Sequence, residues 1–184
     1  MSINLLEIVQ KNLGYPTLQK IDPNTQVVVD DDKTPDEDKF SQAAIPAVLA
    51  AFYKYVQSDA GAAEFLEGTT HTNWLSKIFP DKKKAVVETI SSYSQQSDED
   101  PISKVNEIAC ETVKVVKENL PADASIKDVK VFFSQQRNTF LLYLPAALNM
   151  GELLNDDTLD DNTNKMEGPV SSLMNSIGNA FDNH

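Results

Sequence analysis

Residues Ile126 to Leu154 read IKDVKVFFSQQRNTFLLYLPAALNMGELL, and this stretch decides the fold class. Ile126, Val129, Phe133, Gln136, Phe140 and Tyr143 recur at steps of three and four residues, which sets large side chains and a single glutamine on one helical face. Such a face is stable only against other apolar surface, so the spacing predicts a buried helix. Ser125 stands at the N-cap position with Asp128 three residues on, the arrangement of a capping box. Pro145 disfavours helical dihedrals at Leu144 and has no N–H to donate, which predicts an end or a bend before the apolar knot of Leu148, Met150, Leu153 and Leu154. Helix and knot together are expected to form the core hairpin of an all-α domain.

Working outward, the same signals recur. Asp100-Pro101 opens a long helix with the stripe Ile102, Val105, Ala109, Val113, Val116 and Leu120, expected to lie along the Ile126 helix and to end at Pro121. Thr34-Pro35-Asp36-Glu37 combines an N-cap threonine, a proline at the first helical position and a glutamate that closes the box. The helix it opens carries Phe40, Ala44, Val48, Ala51 and Tyr55, with Pro46 predicting a kink or break after Ile45. Ser58 starts a short helix that Gly68 ends, Trp74, Leu75, Ile78 and Phe79 turn inward, and Pro80-Asp81 introduces a helix bearing Val86, Val87, Ile90 and Tyr93. At the beginning, Ser2 is expected to cap a helix whose face is Ile3, Leu6, Val9 and Leu13, stopped by Gly14. Residues 16–33 read as a loop and Gln95 to Glu99 as a polar linker.

The expected architecture is a compact orthogonal or irregular bundle of roughly seven to nine helices, some of them short. It forms one domain over residues 1–154, followed over 155–184 by an acidic linker and a short amphipathic C-terminal helix. Ile45-Pro46-Ala47-Val48-Leu49 and Leu144-Pro145-Ala146-Ala147-Leu148 share the pattern apolar-Pro-Ala-x-Leu, which suggests two related halves.

A chain of 184 residues is long enough for one core. Its 28 acidic against 16 basic residues give a net charge of −12, which argues against attraction to nucleic acid or to an anionic membrane surface. The single cysteine, Cys110, forms no intrachain disulfide, the apolar runs are too short to span a bilayer, and the first residues lack a signal-segment pattern. A cytoplasmic location is expected.

Catalytic signals are sparse. Of the two histidines, His184 is terminal and His71 lies in a polar turn, where a solvated side chain is the expected reading. Cys110 sits mid-helix among glutamates, which disfavours the thiolate. Scattered glycines form no phosphate-binding loop, and no cofactor is expected. Asp156, Thr158, Asp160 and Glu167 fall at positions one, three, five and twelve of a calcium loop, but Asp161 occupies the position that needs glycine. An acidic linker is therefore the first reading there, and a divalent-metal site of Asp156, Asp160 and Glu167 the second. Val170, Leu173, Met174, Ile177 and Phe181 form an amphipathic face that either folds back on the core or enters a groove on a protein partner or a second copy.

Three segments carry a family resemblance: Ile3-Asn4-Leu5-Leu6-Glu7-Ile8-Val9, the helix around Ile45 to Leu49, and Ser134-Gln135-Gln136-Arg137 followed by Leu144 to Leu154. Across Ile3 to Leu154 the chain resembles the YidB-like family of bacterial helical proteins. The resemblance implies an all-α bacterial protein with no assigned reaction, and it carries over no catalytic residue. The sequence points first to a non-enzymatic interaction or structural module. A calcium-responsive protein comes second, and a small-ligand binder with a pocket between the Phe40 and Phe140 helices third.

Overall fold

The chain is built around a helix that has no polar side along most of its length. In the computed structural model, which describes residues 3–21, 36–95 and 100–156, every residue from Phe40 to Phe52 is buried. They belong to α2 (Asp36–Tyr55), which follows α1 (Leu5–Asn12). Next come α3 (Asp59–Glu67), α4 (Trp74–Ile78), α5 (Lys83–Ser94), α6 (Pro101–Asn119) and α7 (Ile126–Leu141). A short 3₁₀ turn (Ala146–Leu148) then leads to α8 (Met150–Leu154). The described residues form an all-α bundle with no strands. Helices α1, α4, α5, α6, α7 and α8 all pack on α2, whose alanines leave room for neighbours on several sides.

This centre differs from the expected one. The Ile126 helix is a wall rather than the pillar: α7 packs on α2 and α3, while α6 packs on α1, α2 and α4 instead of lying chiefly along α7. The reason is chemical. A helix buried all round has no apolar period to detect, whereas α6 and α7 show clear stripes because each has a wet side. Of the kink or break expected at Pro46, the break does not occur, since α2 runs through the proline as one helix. The two proline segments adopt unlike backbones, one mid-helix in α2 and the other a turn into the 3₁₀ helix, so the sequence echo is not a structural one.

Helix boundaries follow local chemistry. The Ser125–Asp128 capping box forms, with Ser125 N–H donating to Asp128 at 2.8 Å. Asp100 caps α6 ahead of Pro101, and Ser58 caps α3 by accepting from Gly61 N–H at 2.9 Å. At α1 the cap is Asn4 rather than the expected Ser2, which lies outside the described residues, as do Thr34 and Pro35. Gly14, at φ +73°, closes α1 with paired bonds from Gly14 N–H to Lys11 and from Tyr15 N–H to Gln10, a turn that needs the left-handed conformation glycine adopts without strain. Ile102, expected in the buried stripe, is 45% exposed and lines an open groove beside the 70–73 turn, while Ile108, Thr112 and Val115 widen the buried face farther along.

Aromatic packing ties α2, α3, α4 and α7 together. Phe52 stacks on Phe133 at 6.0 Å and meets Phe65 edge-on at 5.8 Å, and Trp74 lies 5.6 Å from Phe65. The Trp74 indole N–H donates to the Thr69 carbonyl at 2.7 Å, so the ring is buried with its polar atom satisfied. Gly68 makes this possible: a Cβ there would sit 2.3 Å from the Trp74 ring. The space between the Phe40 and Phe140 helices is occupied by packed side chains, with Tyr53 against Phe140 at 6.1 Å and both Phe40 and Phe140 buried.

Candidate functional site

Where α2 ends, its last residues meet the α4–α5 junction and α8. Lys54 and Tyr55 come from α2, Lys77 to Lys82 from the junction, and Leu153, Leu154 and Asn155 from the end of α8. They enclose a cleft of about 330 Å³, lined mainly by carbon. Ile78, Phe79, Pro80, Leu153 and Leu154 supply the apolar surface, and Lys54, Lys77 and Lys82 stand around it.

Each rim cation is held in place. Lys77 Nζ donates to Glu64 Oε2 at 2.6 Å, and the Tyr55 hydroxyl donates to the same oxygen at 2.5 Å. These two bonds, with the Lys77 charge, hold the Glu64 carboxyl below its ordinary range. Burial, followed by the bond to Glu64 and its charge, pushes the Tyr55 phenol well above its ordinary value, so its proton stays put. Lys82 Nζ donates to the Glu152 carbonyl at 3.0 Å, and Lys54 Nζ pairs with Asp156 at 3.2 Å. The cations at Lys54 and Lys77 remain 42% and 39% exposed, so they are both positioned and reachable by a further anion. The site can bind carboxylates beside apolar groups; among its described lining residues no side chain is poised as a nucleophile.

A second, more open groove of about 550 Å³ runs between the 70–73 turn and α6. It brings His71 and Cys110 to one place, a proximity their separation in sequence hides. The chemistry of a thiol–imidazole pair does not follow. Burial and the neighbouring Glu107 charge raise the Cys110 thiol above its ordinary value, although the Asn106 amide 3.7 Å away opposes this.

Of the expected metal ligands, Asp156 is paired with Lys54, and Asp160 and Glu167 lie outside the described residues. Among the described residues no group of three His, Cys, Asp or Glu side chains converges on a point that would hold a metal. Val170, Leu173, Met174, Ile177 and Phe181 also lie outside the described residues. No helix among the described residues is long and apolar enough to cross a membrane.

The cleft was not legible in the sequence as a site. Leu153 and Leu154 read only as part of an apolar knot, and nothing in linear spacing joins them to Lys54, Lys77 and Lys82. No family model, no curated protein and no solved structure matches the chain.

Proposed function

We propose that the protein is a non-enzymatic interaction module whose lysine-rimmed cleft takes an acidic peptide segment carrying large apolar side chains. The observation that carries the reading is the placement of Lys54, Lys77 and Lys82 around an apolar floor on a chain whose net charge is −12. Asp81 shares the lining, and Lys54 and Lys77 are paired with Asp156 and Glu64 yet stay partly exposed, so the ammonium groups are held in place to orient an anionic partner while the floor supplies burial energy. The shifts at Tyr55 and Cys110 favour the protonated, inert forms, which supports binding over catalysis.

Kinship with the YidB-like bacterial proteins belongs to the same proposal, supported by the three resembling segments. The structure gives these residues physical roles: Gln136 holds the start of α1, and Leu144 to Leu154 form the turn and α8, whose last two residues, Leu153 and Leu154, line the cleft. A cytoplasmic site of action is part of the proposal too, supported by the lone cysteine and the acidic composition.

The test is binding of a synthetic amphipathic helix with an Asp/Glu polar face, measured against a counterpart with a Lys/Arg face. The acidic probe binds, binding weakens with added salt, and Lys54→Glu lowers affinity about tenfold, equivalent to ~1.4 kcal/mol. Equal binding of both probes, or no effect of Lys54→Glu, overturns the reading.

A further inference from the structure

We infer that the cleft has a cis occupant: the amphipathic stretch Val170 to Phe181 of this same chain, which competes there with partners from outside. The inference rests on the reading of the cleft given above.

The first argument is where the chain leaves the described bundle. Leu153, Leu154 and Asn155 are themselves part of the cleft wall, and the next residue, Asp156, is paired with Lys54 of the same cleft. Lys82 fastens the same exit through the Glu152 carbonyl and, at 3.4 Å, the Asn155 side chain. Everything C-terminal to Asp156 therefore starts at the mouth of the cleft.

The second argument is charge. Residues 157–184 contain Asp157, Asp160, Asp161, Glu167 and Asp182 against the single Lys165, so 1 − 5 gives a net −4 with histidine neutral. Four of these acids precede Gly168 and the fifth follows Phe181, so they flank the uncharged Val170 to Phe181 stripe and would meet the lysine rim from its two ends. The third is shape. Val170, Leu173, Met174, Ile177 and Phe181 have the spacing of one helical face, and a cleft of about 330 Å³ has room for a pair of large side chains such as Ile177 and Phe181.

Reach and concentration agree with this assignment. Residues 157–168 precede the stripe and span up to ~40 Å when extended, ample to double back to a cleft that begins at Asn155. A connection this short sets an effective concentration on the order of millimolar, so even a modest intrinsic affinity keeps the cleft largely self-occupied. An outside ligand then meets an apparent affinity reduced by the fraction of molecules with an open cleft.

The experiment titrates a labelled peptide of residues 165–184 into three forms of the full chain: unaltered, Ile177→Asp/Phe181→Asp, and Lys54→Glu/Lys77→Glu. Circular dichroism checks that each is folded. The labelled acidic amphipathic helix is a second probe on all three, and Lys54→Glu alone replaces the double variant if that one unfolds. The expected result is binding about tenfold tighter to the tail variant than to the unaltered chain, and loss of binding with the cleft variant. Equal affinity for the unaltered and tail-variant chains overturns cis occupancy but leaves the cleft reading standing, as does binding of the acidic helix without binding of the 165–184 peptide. If neither probe binds any form, the cleft reading itself fails and this inference with it. A dimer that dissociates in the tail variant contradicts the cis assignment in favour of exchange between copies.

Discussion

The Gln136 side chain is joined to the backbone on both sides of Asn4: Leu5 N–H donates to Oε1 at 3.0 Å, and Nε2 donates to the Ile3 carbonyl at 3.0 Å. The lone polar residue on the α7 face is thus the clasp that fixes the start of α1, at a position only 4% exposed. Gln136→Leu keeps the volume and leaves a buried N–H without a partner. It is expected to destabilise the fold by ~2–4 kcal/mol, read as a lower urea midpoint at unchanged m-value. Hydrogen exchange should accelerate most at the Leu5 amide.

A second glutamine does the same for the segment after α1. Gln42 accepts from Gln19 N–H at 2.8 Å and donates to the Gln19 carbonyl at 2.9 Å and the Tyr143 carbonyl at 2.8 Å. Beside it, Ile21 N–H donates to the Leu142 carbonyl at 2.8 Å. Gln42→Met should cost about 2–3 kcal/mol and release residues 15–21 before the bundle unfolds, seen as early exchange at the Gln19 and Ile21 amides.

Gly68→Ala places a methyl 2.3 Å from the Trp74 ring, against a side chain wedged between Phe52 and Phe65. It also disturbs the Gly68 carbonyl, to which the Lys117 ammonium donates. A loss of ~1–3 kcal/mol is expected, with a red-shifted tryptophan emission as the indole moves toward water.

The capping box gives a pH dependence with a definite sign. Bonds from the Ser125 hydroxyl and N–H hold the Asp128 carboxyl below its ordinary range. A depressed folded value means that the unfolded chain binds the proton more readily, so this contribution is complete above the unfolded value of about 3.9 and is lost as pH falls through the lower, folded one. Asp128→Asn should flatten the acid limb of the stability profile below about pH 4 and leave stability near neutrality slightly lower, read by urea titration at several pH values.

What the sequence reveals and hides follows from the range of each interaction. Capping at Ser58, Asp100 and Ser125 depends on neighbours within a turn, so those helix starts were readable. The central place of α2 was not, because burial on every side from Phe40 to Phe52 erases the period that marks an amphipathic helix. Gln136 looked like an interruption of an apolar stripe; its partner is 131 residues away, and only the folded chain supplies it. The cleft was hidden for the same reason, since Lys54, Lys82 and Leu154 meet only through tertiary packing.

The central claim is that the lysine-rimmed cleft is where this protein meets an acidic, apolar-faced segment, and amide chemical-shift mapping on the full chain tests it most directly. Adding the Asp/Glu-faced helix should move the resonances of Lys54, Tyr55, Lys77 to Lys82 and Leu153 to Asn155 while those of His71 and Cys110 stay still. Shifts confined to the His71–Cys110 groove, or no shifts at saturating probe, would contradict it.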